Sequence, residues 1–206
     1  MKNILLLFAA LLFISIVQAQ VNPPVVKIGN QTWMVKNLDV DHYRNGDPIP
    51  QVKDPAAWAS LTTGAWCYYS NKSANGKIYG KLYNWYAVND PRGLAPEGWH
   101  MPQDSDWTNL TDQLGGYKVA GNKMKSTMGW IGPKSGATNS SGFTALPGGY
   151  RDNDGVFVEI GSVGHWWNST WSSTTTSFAR KLDSYGHVLW GDYDNRMGYS
   201  VRCIKD

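Results

Sequence analysis

Glutamate is nearly missing from this 206-residue chain, where Glu97 and Glu159 are the only two. Paired-carboxylate catalysis needs two acids converging on a cleft, usually one with a raised pKa. Glu97 lies in the turn Ala95-Pro96-Glu97-Gly98, and Glu159 falls on a hairpin strand facing solvent, so neither suits that task. A GxSxG elbow is also absent, and the Ser-rich stretch from Asn168 to Ser177 reads as a polar strand edge rather than a nucleophile site. The four histidines, His42, His100, His165 and His187, show neither HxH nor HxxxH spacing. On a strand Asp39 and His42 would diverge, and Asp152-Asn153-Asp154-Gly155 lacks the later Glu of a calcium loop, so it reads as a hairpin turn. No catalytic residue, metal or cofactor is expected.

Charge of one sign is lacking as well. With Lys2 set aside, 18 basic residues face 16 acidic ones, and no basic run suggests a nucleic-acid partner. Long apolar runs are limited to Ile4–Val17, which follows the basic Lys2 and precedes Val17-Gln18-Ala19. That pattern predicts a signal peptide over residues 1–19, cut after Ala19, and a single domain over residues 20–206. A chain of that size buries about 70% of its unfolded surface and needs neither disulfides nor metals to fold. Cysteine is scarce: Cys67 and Cys203 are the whole complement. In an exported chain an even pair predicts a disulfide, since neither residue has a CxxC partner or a nearby His.

The chain is instead rich in aromatics and turn formers, with 11 Trp, 11 Tyr and 22 Gly. Few strong helix formers accompany them, which predicts short elements and many turns. Most of the Trp must be core pillars, because each large aromatic buries roughly 150–250 Å2. Val25–Met34 reads as two strands around Gly29-Asn30, Asp54-Pro55 as a helix start, and Ala65–Tyr69 as a strand. Ser73–Gly76 reads as a loop, and the stretch from Tyr79 to Val88 fits helix and strand equally. After Gly98-Trp99-His100-Met101-Pro102 a helix capped by Asp104 carries Trp107, Leu110 and Leu114 on one stripe and ends at Gly115-Gly116. Helical periodicity then disappears. A hairpin turning at Asn153-Asp154-Gly155 follows, then three or four further antiparallel strands. The fold class is α+β.

These motifs come in a recognisable order: IGNQTWM, NGDPIP, TTGAWCYY, YGKLYNWYAV, LAPEGWHMP, GFTALPGGYR and SVRCIKD. Together, from about Val26 to Asp206, they resemble the Fibrobacter succinogenes major paralogous domain, a family of secreted and surface proteins with little assigned biochemistry. More distantly the chain is similar to the C-type-lectin-like and formylglycine-generating-enzyme fold, through Trp99–Trp107 and the terminal Val201-Arg202-Cys203. The resemblance implies a twisted antiparallel sheet flanked by two short helices, adjacent termini, and a long irregular loop region carrying function. It also places Cys203 where lectin-like domains keep a whole-domain disulfide. The copper-binding cysteine pair of the enzymes has no counterpart, and the calcium-dependent sugar triplets EPN and WND are absent.

Sugar recognition without a metal needs flat apolar faces bordered by a few polar groups. Trp167, Asn168, Trp171, Tyr185, Trp190, Asp192, Tyr193 and Asp194 have the right chemistry on the segment that resembles the variable lectin loops. In a strand alternate aromatics point inward, so at least one of Trp166 and Trp167 must be core. The leading expectation is a monomeric, secreted, periplasmic or outer-surface binding module for glycan or another extracellular polymer. A self-associating surface protein is the alternative, and an enzyme of unknown reaction the third.

Overall fold

A computed structural model describes residues 23–132 and 136–206. The expected signal peptide lies outside the described residues. Among them, no helix is long and apolar enough to cross a membrane. The architecture is mixed α and β, with several small antiparallel sheets and few helices.

β1 (Val25–Ile28) and β2 (Gln31–Met34) form the expected hairpin, and Gly29 supplies the positive φ of 60° its turn requires. β2 also pairs with the last strand, β11 (Ile204–Lys205), which in turn pairs with β5 (Trp99–His100). The first and last strands therefore flank β2 in one four-stranded sheet. A second sheet of three longer strands carries β8 (Gly164–Trp171), β9 (Thr176–Leu182) and β10 (Val188–Asp194), with β9 central. β3 (Trp66–Cys67) pairs with β4 (Leu82–Tyr83), and β6 (Tyr150–Arg151) with β7 (Phe157–Val158) around the expected turn.

One segment knits the small sheets together. Gly198 exchanges backbone hydrogen bonds with Arg151 of β6, and Tyr199 does so with Tyr83 of β4. Ser200 donates to the His165 carbonyl and accepts from the Trp167 N–H, both on β8. The chain just before β11 thus acts as an internal strand shared by three sheets, although only isolated bridges mark it.

The helices follow local chemistry where that chemistry is strong. α1 (Pro55–Ala59) starts at Asp54, whose carboxylate accepts the Ala57 N–H at 2.8 Å, with Pro at its first position. α2 (Ser73–Tyr79) occupies the stretch expected to be a loop. The ambiguous stretch after it divides: β4 comes first, then α3 (Trp85–Val88), capped by Asn84. α4 (Asp104–Gln113) is capped by Gln103 rather than Asp104; Asp106 Oδ2 accepts the Gln103 backbone N–H at 2.8 Å and closes the turn. A further helix, α5 (Tyr117–Met124), stands where helical periodicity had ended.

Eight of the 11 Trp are buried, Trp130 is half-buried, and only Trp171 and Trp190 are exposed. Trp33, Trp107, Phe143 and Trp166 pack ring to ring under α4, with Trp33 and Trp107 centroids 5.0 Å apart. Trp85, Trp99, Trp167 and Tyr199 belong to a second cluster, and Trp58, Cys67 and Leu82 to a third.

Cys67 and Cys203 are the pair expected to form a disulfide. Both side chains are free thiols, fully buried, and they sit in different clusters, Cys203 in the second and Cys67 in the third. Burial pushes both thiols up to about 12, so neither is a nucleophile at neutral pH. Thiol titration without reductant should therefore find none reactive within minutes in the folded protein and two after denaturation. No reactive thiol after denaturation would instead establish the bridge.

Candidate functional site

The three-stranded sheet sets out a row of side chains on one face. Trp166 on β8 lies opposite Arg180 on β9, which lies opposite Trp190 on β10. α4 and the first cluster cover Trp166 entirely, and Arg180 is almost as deeply covered. β10 is an edge strand, so the row ends in the open, where Trp190 is 56% exposed. Tyr117, the first residue of α5, meets it edge to face with centroids 5.8 Å apart. Such a perpendicular pair is a favoured aromatic geometry.

Between these rings and α4 runs a cleft of about 340 Å3, lined by Asp104, Thr108, Thr111, Asp112, Tyr117, Arg180 and Trp190. Arg180 is its floor. Its Nη2 donates to Asp104 Oδ1 at 2.6 Å, to the Asp104 carbonyl at 2.9 Å and to Thr108 Oγ1 at 3.1 Å. Its guanidinium carbon lies 5.8 Å from the Trp190 ring centroid. Nε has no hydrogen-bond partner among the described residues. Burial lowers the Arg180 pKa, and the Asp104 charge opposes that shift. Asp104 is placed by the helix start itself, since Thr170 Oγ1 accepts its backbone N–H at 2.9 Å and Asn168 Nδ2 donates to its carboxylate at 3.2 Å.

A second concavity lies elsewhere. Two shallow clefts share Thr62 and Tyr86; one reaches Asp194 and Arg196, the other Asp90 and Arg92. Both Arg–Asp pairs are forked, at 2.6 and 2.9 Å for Arg196 and 2.8 and 2.9 Å for Arg92. Hydrogen bonds from Arg196 hold the Asp194 carboxyl down to about 2. These carboxylates are already used by their own neighbours.

The structure separates the eight residues expected to form one ligand surface. Trp167 is wholly buried, and its Nε1 donates to the Tyr83 carbonyl at 2.9 Å. Asn168 is wholly buried as well; it accepts the Thr170 N–H at 2.9 Å and its carbonyl takes the Trp85 Nε1–H at 3.2 Å. Both are therefore framework, because the sheet is covered on its two faces and alternation exposes neither. Tyr193 packs against His165 and Tyr199, and burial raises its pKa. Asp194 serves Arg196 and Asn153. Asp192 accepts from Ser172 Oγ at 3.0 Å and stays exposed. Trp171 and Tyr185 are exposed at 60% and 73%, but neither lines a described cleft. Only Trp190 enters the cleft of α4 and α5, where it joins Tyr117, Arg180, Asp104, Thr108, Thr111 and Asp112, none of which the sequence reading singled out as ligand contacts. The one available signal was the α4 stripe: its core face is Trp107, Leu110 and Leu114, so Asp104, Thr108 and Asp112 lie off that face, while Thr111, four residues after Trp107, is buried beside it.

Among the described residues no three His, Cys, Asp or Glu side chains converge to hold a metal ion. A comparison with curated proteins finds no match. The family model of the Fibrobacter succinogenes major domain matches residues 26–205, nearly the whole of the described chain, in agreement with the order of motifs from Val26 onward. On that match the chain belongs to the Fibrobacter succinogenes major domain family.

Proposed function

We propose that this protein is an exported, non-catalytic binding module that takes a glycan or another extracellular polymer in the Tyr117–Trp190 cleft. The observation that carries the reading is the exposed aromatic pair beside a fixed Arg180–Asp104 couple. A pyranose ring has apolar C–H faces that stack on such rings and hydroxyls that need oriented polar partners. Within this reading the fold is C-type-lectin-like. Support comes from β1 and β11 both flanking β2, and from α4 and α5 packing beside the long-stranded sheet.

Glycan-array screening and pull-down on insoluble polysaccharide test the reading. Trp190→Ala and Tyr117→Ala should each weaken binding by about tenfold or more, equivalent to about 1.4 kcal/mol. Both side chains are exposed, so the fold should survive the truncation. Undiminished binding by both variants would displace the site from this cleft. A second reading, self-association at a cell surface, rests on the exposed Met128, Ile131, Trp171 and Tyr185. Light scattering over a concentration series separates the two, because a simple binder keeps a constant mass.

A further inference from the structure

The two walls of the same cleft differ in the hydrogen-bonding groups they leave unspent. On the α4 wall these are acceptors. Asp104 spends Oδ1 on Arg180 and Asn168, but its Oδ2 takes no hydrogen bond among the described residues. The exposed Asp112 carboxylate takes none either. Across the cleft and on its floor the unspent groups are donors. Trp190 Nε1 and the Tyr117 hydroxyl make no hydrogen bond among the described residues, and both side chains are exposed. Of the Arg180 nitrogens only Nη2 is engaged; Nη1 has no partner, and neither has Nε, which is sealed from solvent. The Thr108 hydroxyl is occupied in both roles, donating to the Asp104 carbonyl at 3.0 Å and accepting from Arg180 at 3.1 Å. A ligand that fits must therefore bring a donor for one wall and an acceptor for the other.

We infer that the cleft recognises sugars carrying an acetamido group, an inference that rests on the reading of this cleft as a glycan site. A trans secondary amide points its N–H and its C=O in opposite directions. The N–H can then donate to the Asp112 carboxylate on the α4 wall while the C=O accepts from the indole, phenol or guanidinium donors across from it. The methyl group adds apolar surface against the Tyr117–Trp190 pair. A hydroxyl at the same ring position works through a single oxygen, so it serves one wall and leaves the other unpaired. A carboxylate or sulfate would satisfy the donors but bring its negative charge against Asp112 and the free oxygen of Asp104. An ammonium would satisfy the carboxylates and leave the donors unpaired. It would also join two cations already present: Arg180 on the floor, and Lys118, whose Nζ lies 5.9 Å from the Tyr117 ring centroid.

Isothermal titration calorimetry with three tetrasaccharides tests this directly: the N-acetylated chitin tetramer, its de-N-acetylated counterpart and cellotetraose. All three share one β-1,4 backbone and differ only in the substituent at C2, which is acetamido, ammonium or hydroxyl at slightly acidic pH. The N-acetylated tetramer should bind about tenfold or more tightly than either of the others. Trp190→Ala should abolish that binding. Asp112→Asn keeps an acceptor oxygen but removes its charge, so the preference for the N-acetylated tetramer over cellotetraose should shrink by about threefold. A structural role for this exposed residue would not move that ratio, and an unchanged ratio would overturn the assignment of the N–H to Asp112. Equal or tighter binding of cellotetraose or the de-N-acetylated tetramer, lost in Trp190→Ala, would overturn the acetamido preference while leaving the glycan site in place. Binding of none of the three would overturn the inference, and the glycan array then judges the wider reading on its own.

Discussion

Acidification below pH 6.5 should destabilise this protein through one buried side chain, His165, by an amount that a single substitution removes. His165 is 3% exposed, stacks on Tyr199 with centroids 4.5 Å apart, and meets the Tyr150 ring at 4.9 Å and the Tyr193 ring at 5.6 Å. No carboxylate pairs with it among the described residues, and its Nδ1 has no hydrogen-bond partner there. Burial, helped by repulsion from Lys181, pushes its pKa down to about 3 from an ordinary 6.5. The unfolded chain therefore takes up a proton at this residue below pH 6.5, while the folded chain does not until about pH 3. In that window the unfolded state binds more protons, so stability falls as pH falls. The slope approaches about 1.4 kcal/mol per pH unit, and the whole window is worth on the order of 5 kcal/mol.

Carboxylates such as Asp41, Asp90 and Asp194, whose pKa values lie below normal, add their own losses at lower pH. The comparison that isolates His165 is with His165→Phe, which keeps an aromatic ring in the cage and cannot charge. Urea midpoints between pH 7 and pH 4 should fall more steeply in the natural protein than in the variant, with the curves diverging from about pH 6.5 downward. Parallel curves would mean that His165 is protonated in the folded state as readily as in the unfolded one.

The residues around His165 also show why only part of this structure can be read from its sequence. Where an instruction is local, it was legible: Asp54-Pro55 caps α1, Gly29 turns the first hairpin, and Gly155 turns the β6–β7 hairpin. Where a glycine serves tertiary contact, the local reading fails. Gly76 and Gly121 lie inside α2 and α5. A Cβ at Gly76 would strike the Tyr68 ring, and one at Gly121 the Gly186 carbonyl. Their sequence signature is that of a loop, yet the absent side chain is what lets each helix approach its neighbour. The aromatic segment misleads for a related reason. Trp166 and Trp167 point to opposite faces of β8, and both faces are covered, one by the Trp107 cluster and the other by the Tyr199 cluster. Strand alternation marks an exposed residue only where one face meets water. Trp190 escapes because its strand, paired only with the preceding β9, is at the sheet edge.

The second large effect belongs to Arg151, whose substitution should cost more stability than the loss of an ordinary surface arginine by several kcal/mol. Arg151 is wholly buried on β6, with its guanidinium 4.5 Å from the Trp58 ring centroid and 4.8 Å from that of Phe157. Among the described residues it forms no ion pair with a carboxylate. Three carbonyls replace one: Nε donates to Gly155 at 2.9 Å, Nη1 to Val52 at 2.7 Å and Nη2 to Lys53 at 2.9 Å. The fork thereby ties the hairpin turn to the segment leading into α1, and Trp58 of α1 covers it. Arg151→Ala leaves three carbonyls unpaired in a cavity and should destabilise by about 3–5 kcal/mol. Arg151→Lys restores the charge but not the planar fork, and one ammonium cannot span carbonyls arranged for three separate nitrogens. It should therefore recover less than half of the loss, which distinguishes geometric capture from a simple requirement for a cation. Arg151→Met keeps much of the volume and removes the buried charge, so it should fall between the alanine and natural proteins. Urea unfolding of the three variants measures the order directly. A loss below about 1 kcal/mol in Arg151→Ala would mean that water satisfies the carbonyls and the fork contributes little.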